Sequence, residues 1–302
     1  MPGRADAALP GQAGLVRPPR SAVPFTVACG MGCGLLALLG VFASGETIPS
    51  DRWFGLAALG TAMGAMGVGL VSAACDPDRP ERFLHTFSRW RSSWHSRAAV
   101  LAAGACVPAG LFAIGWVGYG EVGGIWRAFA IVTALLAGFA VYATAMIYAT
   151  LETVPAWSNR WVVPLLLALA LYTGALWLHA LLTLFGRASP DSSLIVVVAL
   201  FLSFYLKRRY WRFIDAVGAV STPETGFAET GDPIFRERAV RLRRYAFVLL
   251  FVLPLVLTMA ATEASQWPAA LAAAAAALSG CAGVVIERRL FFAEAAVPRG
   301  AA

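Results

Sequence analysis

The chain has 302 residues, 59% of them hydrophobic and only 14% charged, and its mean hydropathy is +0.69. That composition excludes an ordinary soluble domain and marks a membrane protein. The formal net charge of +7 comes from basic residues gathered at the ends of apolar runs, a pattern of membrane anchoring that argues against a nucleic-acid footprint.

Residues 1–22, rich in Ala, Arg, Gly and Pro, read as a mobile N-terminal tail. The first apolar run is too long for a signal-peptide core and lacks a cleavage site, so it reads as a retained span. Spans need about 20 apolar residues, and eight cores meet or approach that: 23–44, 53–74, 99–118, 128–150, 161–185, 193–206, 245–262 and 267–286. The sixth is short, and Lys207, Arg208 and Arg209 are expected to extend it by snorkelling toward the headgroups. The runs lack the alternation of barrel strands, and lipid leaves backbone groups no other partner, so the fold expected is all-α, an integral membrane bundle of eight transmembrane helices. Residues 23–295 form a single membrane domain, followed by a short tail at 296–302.

An even number of spans puts both termini on one side. Of the 24 Lys and Arg, 21 fall on that side, and only Arg52, Arg127 and Arg187 fall opposite. The positive-inside rule then makes both termini cytoplasmic. On the same side, residues 207–244 are too short for a domain but long enough to dock another protein, with Arg208, Arg209, Arg212, Arg236 and Arg238 as the candidate docking residues.

Small residues punctuate the spans. In GTAMGAMGVG, Gly60 and Gly64 are four apart, and Ala65 and Gly69 repeat the spacing, so close helix packing is expected there. The alanine-rich WPAALAAAAAALSG of the eighth span suits the same role. Between spans two and three, Phe83, Phe87, Trp90 and Trp94 recur at i, i+4, i+7 and i+11. They predict a short amphipathic interfacial helix with one aromatic face, whose simplest use is to anchor the membrane surface.

Asp, Glu, Lys and Arg are missing from every span core, which weakens a proton pump or cation-coupled transporter, though a carrier of neutral solutes would not need them. Only His179 lies well inside a span, where it can hydrogen-bond a neighbouring helix. Three histidines, His85, His95 and His179, do not supply facing haem ligands. The five cysteines contain no CxxC, so no metal site is expected. What remains is a set of polar groups at the cytoplasmic ends of spans two to five: Asp76, Asp78, Arg79, Arg97, Tyr148, Glu152 and Trp157. Donors, a proton acceptor and flat apolar walls close to the interface suit a quinone headgroup, although the same charges also serve as ordinary loop ends.

Four segments carry a family resemblance. RPERF…RWRSSWHSR at 79–97, MIYATLETVPAW at 146–157, STPETG at 221–226 and ERRLFFAEA at 287–295 resemble, in order, signatures of the DmsC-type membrane anchor subunits of dimethyl sulfoxide reductase-like molybdoenzymes. The resemblance implies an anchor in the bacterial inner (cytoplasmic) membrane, acting in anaerobic respiration. Its partners would be a catalytic subunit with molybdopterin guanine dinucleotide and an electron-transfer subunit with iron–sulfur clusters. The anchor itself would oxidise quinol, menaquinol in particular, as an exchangeable substrate. On that reading Asp76 accepts a proton, Arg79, Arg97 and Tyr148 hold the quinone oxygens, Trp94 or Trp157 packs against the ring, and Glu152 lies close by. The chain departs from the family pattern twice. Asp76, Pro77 and Asp78 stand where a His-Leu-Gly triplet is usual, and Ala98 stands where Glu is common. Proton transfer then falls to Asp76, His85 or Glu152, or the quinol chemistry is altered or lost and the chain is a scaffold.

Overall fold

The structure is a computed structural model and describes residues 21–45, 47–75, 91, 93–152, 154, 156–220 and 233–293, the side chains at 217–220 and 233–239 excepted. Among them there is no strand, and eight helices are long and apolar enough to cross a membrane. They are α1 (Ala22–Ser44), α2 (Arg52–Ala74), α3 (Trp94–Tyr119), α4 (Gly124–Ala149), α5 (Val162–Leu184), α6 (Pro190–Ala216), α7 (Val240–Glu263) and α8 (Gln266–Ala293). At about 1.5 Å per residue even the shortest exceeds the roughly 30 Å of a bilayer core.

Local chemistry sets several helix ends. Asp51 caps α2, its Oδ1 accepting from the backbone N–H of Trp53 at 2.8 Å and of Phe54 at 3.3 Å, which satisfies two of the free donors of the first turn. Helix α3 contains Pro108 and closes in a π-helical turn at Ile114–Tyr119; further π-helical turns lie at Phe25–Cys29 and Val248–Val252. Such turns loosen the regular ladder. In the last of them the Tyr172 hydroxyl donates to the Leu250 carbonyl at 2.7 Å, and Ser279 Oγ donates to the Leu249 carbonyl at 2.8 Å. Neighbouring helices thus complete the backbone bonding that the wider turn leaves open.

Helix α5 is the most enclosed span and the axis of the bundle, packed by α1, α4, α6 and α8. One apolar cluster joins α1 to α4 around Phe54, Phe112 and Trp116; the other gathers α5 to α8 with the end of α4. The tightest crossing is that of α1 and α5. A Cβ at Gly34 would stand 1.9 Å from the Ala170 carbonyl oxygen, and one at Gly174 would stand 2.4 Å from the Gly34 carbonyl carbon, so only glycine lets these backbones meet.

The small-residue stripe of α2 behaves otherwise. Gly60 and Gly64 are exposed and a Cβ on either would meet nothing within 4 Å, whereas a Cβ on Gly69 would lie 2.8 Å from the Cys29 nitrogen. The spacing was the same for both pairs; the angle at which α2 meets α1 selects only the second. In α8 the expectation holds, with Ala269, Ala270, Ala273, Ala276 and Ala277 all buried. His179 does bond a neighbouring helix, Nδ1 lying 3.0 Å from Ser192 Oγ at the start of α6.

Three further expectations change. The helix that contains α6 continues to Val220, and a helix beginning at Pro233 runs into α7, so much of 207–244 is helical rather than loop. Lys207 does not snorkel: it is 1% exposed and bonded to Glu287, because α8 brings a carboxylate to it inside the bundle. Ser93 is extended (φ −122°, ψ 125°) and Trp94 opens α3, so no helix runs from residue 90 into Trp94. The other members of the expected interfacial face, Phe83, Phe87 and Trp90, lie outside the described residues, as do residues 1–20 of the expected N-terminal tail, STPETG and the C-terminal tail; Ala22, the last residue of that expected tail, already opens α1.

Candidate functional site

The end of the bundle that carries most of the arginines holds a buried aromatic wall. Tyr148 ends α4 on the face that points to α5 and α8, and it is 7% exposed. The following turn, bonded through Leu151 N–H to the Tyr148 carbonyl and through Trp157 N–H to the Val154 carbonyl, folds Trp157 back into the bundle. Their ring centroids are 5.5 Å apart in an edge contact. Phe291 of α8 stacks on Trp157 at 5.6 Å with planes 16° apart, and Phe292 closes on Tyr148 at 5.6 Å. The Trp157 indole Nε1 donates to the Phe291 carbonyl at 3.0 Å, which places the ring by a bond as well as by packing.

Behind this wall lie three charged groups. Glu287 of α8, fully buried, accepts from Lys207 Nζ of α6 through Oε1 and from Arg288 Nε through Oε2. Lys207 also faces the ring of Tyr210 at 4.6 Å and that of Trp211 at 5.0 Å, and the Arg288 guanidinium lies 4.6 Å from the centroid of Phe291. Burial of three charged groups at membrane depth is costly unless they are paired and oriented; here the aromatic faces add to the pairing. Arg288 Nη1 and Nη2 have no hydrogen-bond partner among the described residues, although Arg288 is 2% exposed.

The residues expected for a quinone site divide between two faces of α4. Tyr148 and Trp157 come together in the wall. Trp94 and Arg97, at the start of α3, pair with each other, the guanidinium 4.4 Å from the indole centroid. Trp94 meets Tyr142 edge-on at 6.2 Å, and Arg97 Nη2 donates to the Arg91 carbonyl at 2.6 Å. Tyr142 is 39% exposed, and six residues separate it from Tyr148, which is about 120° around a helix. Glu152 is exposed in the turn after α4. Asp76 and Arg79, with Asp78 and His85, lie outside the described residues. Of the docking candidates, Arg208, Arg209 and Arg212 are exposed on α6, Arg209 with its Nε on the Tyr205 hydroxyl at 3.1 Å and its guanidinium 5.5 Å from the Trp161 ring. The side chains of Arg236 and Arg238 are outside the description.

Lys207, Glu287 and Arg288 lie just beyond the apolar cores 193–206 and 267–286 and are not among the site residues expected from the sequence. A signal was present: Val284, Glu287, Arg288 and Phe291 recur at i, i+3, i+4 and i+7, one helix face, and all four are buried. The charges therefore continue the inward face of α8 rather than end it.

The family model described as DMSO reductase anchor subunit (DmsC) matches residues 15–293, nearly the whole chain and all eight spans. No curated protein matches it.

Proposed function

The chain belongs to the DmsC family, the membrane anchor subunits of DMSO reductase-like complexes, and on that premise we propose that it also oxidises quinol for the complex it anchors. Quinol, menaquinol in a bacterial inner membrane used for anaerobic respiration, would be converted to quinone with release of two protons. Its two electrons would pass to the iron–sulfur clusters of one partner and from there to the molybdopterin guanine dinucleotide of the catalytic partner. Those cofactors belong to the partner chains.

The observation that carries this reading is the wall of Tyr148, Trp157, Phe291 and Phe292 set directly against Arg288 at one end of the spans. A quinone headgroup needs flat apolar surfaces, a donor for its oxygens and a position from which protons can leave to the interface. Tyr148 is the oxygen partner on this face and Trp157 its packing surface. Asp76 is the proton acceptor, with Glu152, exposed at the adjoining turn, as the route onward. Arg79, Arg97 and Trp94 serve the second face of α4. The positive-inside pattern puts this end, both termini and the exposed Arg208, Arg209 and Arg212 on the cytoplasmic side, where these arginines, with Arg236 and Arg238, dock a partner.

The test is electron transfer from a soluble menaquinol analogue into the purified complex, read as reduction of the iron–sulfur clusters. Wild-type complex should reduce them, Asp76→Asn should slow the reaction at least tenfold, and Tyr148→Phe should raise the quinol KM. A wild-type complex that assembles but accepts no electrons from quinol would leave anchoring as the sole role.

A further inference from the structure

A cavity of about 30 Å³ lies within the same end of the bundle, lined by α1, α4, α5 and α8. It has room for about two water molecules and too little for a ring system. Its polar lining is one-sided in a way that specifies a ligand. Arg288 faces it with two buried terminal nitrogens that no described residue satisfies, and a guanidinium carries its charge at any physiological pH. The Glu287 carboxylate, which holds Arg288 Nε, divides its charge with Lys207. An acceptor is therefore required at Nη1 and Nη2, since unmet charged donors at this depth are expensive.

The same cavity is lined by three threonines whose hydroxyl hydrogens are already committed. Thr26 Oγ1 donates to the Ala22 carbonyl at 2.7 Å, Thr144 Oγ1 to the Ala140 carbonyl at 2.8 Å, and Thr173 Oγ1 to the Leu169 carbonyl at 2.9 Å. Each oxygen retains only lone pairs to offer. A ligand must then accept from a cation on one side and donate to a hydroxyl oxygen on the other. A halide or a carboxylate meets the first condition and not the second. Water meets both, and so does the hydroxyl group of a larger molecule.

Thr26, Val27, Gly30 and Met31 of α1 are half-buried members of the lining. They belong to a span, in and beside the π-helical turn Phe25–Cys29, so what they expose there is exposed to lipid. Thr144 and Tyr148 are one turn apart on α4, and Arg288 rests on Phe291, which makes the cavity the polar end of the aromatic wall already described.

We infer that this cavity receives one hydroxyl of the quinol headgroup, Arg288 donating to its oxygen and Thr144 accepting its hydrogen, while the ring, too large for the cavity, stays outside it. The inference rests on the quinol reading and adds to it the residues that bind. Arg288 is a binding residue for the substrate, and the threonines select the reduced, hydroxyl-bearing form over the oxidised one, which has no hydrogen to donate.

The experiment titrates the purified complex with a hydroxyquinoline N-oxide, a fluorescent quinol analogue, and measures quinol turnover beside it. Arg288→Gln should weaken analogue binding at least about tenfold, the loss expected for charged hydrogen bonds, with KM rising more than kcat falls. Thr144→Val, similar in shape, should weaken it about threefold. Gly30→Val tests the cavity without touching the charged groups: a Cβ at Gly30 meets only Ala170 Cβ, at 3.9 Å, and the two methyls beyond it add volume at a residue that lines the cavity. It should weaken binding at least tenfold even if Arg288→Gln fails to assemble. Wild-type binding and turnover with Gly30→Val and Thr144→Val both within twofold of wild type would overturn the inference and leave the quinol reading standing, the cavity then holding water. A wild-type complex that neither binds the analogue nor oxidises quinol would overturn the reading itself.

Discussion

Lys207 on α6 and Glu287 on α8 are joined by a direct salt bridge, eighty residues apart in the chain and buried to 1% and 0% exposure. The bond ties the basic ends of two spans together inside the bundle, and it holds the carboxylate that also orients Arg288. An ion pair in this position does little for stability against an apolar alternative, but removing one member strands the other.

Glu287→Gln should therefore destabilise the bundle by about 3–5 kcal/mol, the range for breaking a buried pair. Thermal unfolding of the complex in detergent is the measurement. Little change in the midpoint would mean that Lys207 and Arg288 reach water or other carboxylates without Glu287.

Glycines in the spans should divide sharply by position. Gly34→Ala places a methyl 1.9 Å from a backbone oxygen and should cost about 3 kcal/mol or more, the upper part of the overpacking range. Gly60→Ala and Gly64→Ala, with nothing within 4 Å, should be neutral or slightly stabilising by helix propensity. The yield of folded protein after extraction ranks the three variants, and equal yields would contradict the α1–α5 crossing.

Trp157 holds its place by a stack and by one hydrogen bond. Trp157→Phe keeps a ring on Phe291 but deletes the bond to its carbonyl, so it should lose about 1 kcal/mol. Trp157→Ala empties the site and should lose about 3–5 kcal/mol. Near-identical melting of the two would show that the indole N–H, rather than the ring volume, secures the turn after α4.

The two faces of α4 can be told apart kinetically. Arg97, on α3, packs on Trp94, which meets α4 at Tyr142, about 120° around that helix from Tyr148, so the effects of Tyr148→Phe and Arg97→Gln on quinol kcat/KM should add within about 0.5 kcal/mol in a double-mutant cycle. A coupling above about 1 kcal/mol would place both residues on a single quinol.

Much of the architecture was legible in the chain. All eight spans fall where the apolar runs put them, because a bilayer forces each segment to satisfy its own backbone and hydropathy then reports the segment directly. The family match covers three of the four segments that resemble its signatures and most of the fourth. The candidate site was read less completely. Tyr148 and Trp157 do converge, since the short turn between them leaves little choice, but Trp94 and Arg97 turn to a different face, and Arg288, the group that most needs a ligand, is not among the residues expected for the site.

The sequence by itself determined the number of spans and where the apolar core of each lies, since both depend on residues within one segment. Only the tertiary structure decided which of two identical small-residue spacings makes a crossing, that Lys207 turns inward to Glu287, and that Arg288 lines a cavity together with three threonines. Those outcomes depend on how helices far apart in sequence rotate against one another, and rotation is settled by the packing of all eight together, which no single span encodes.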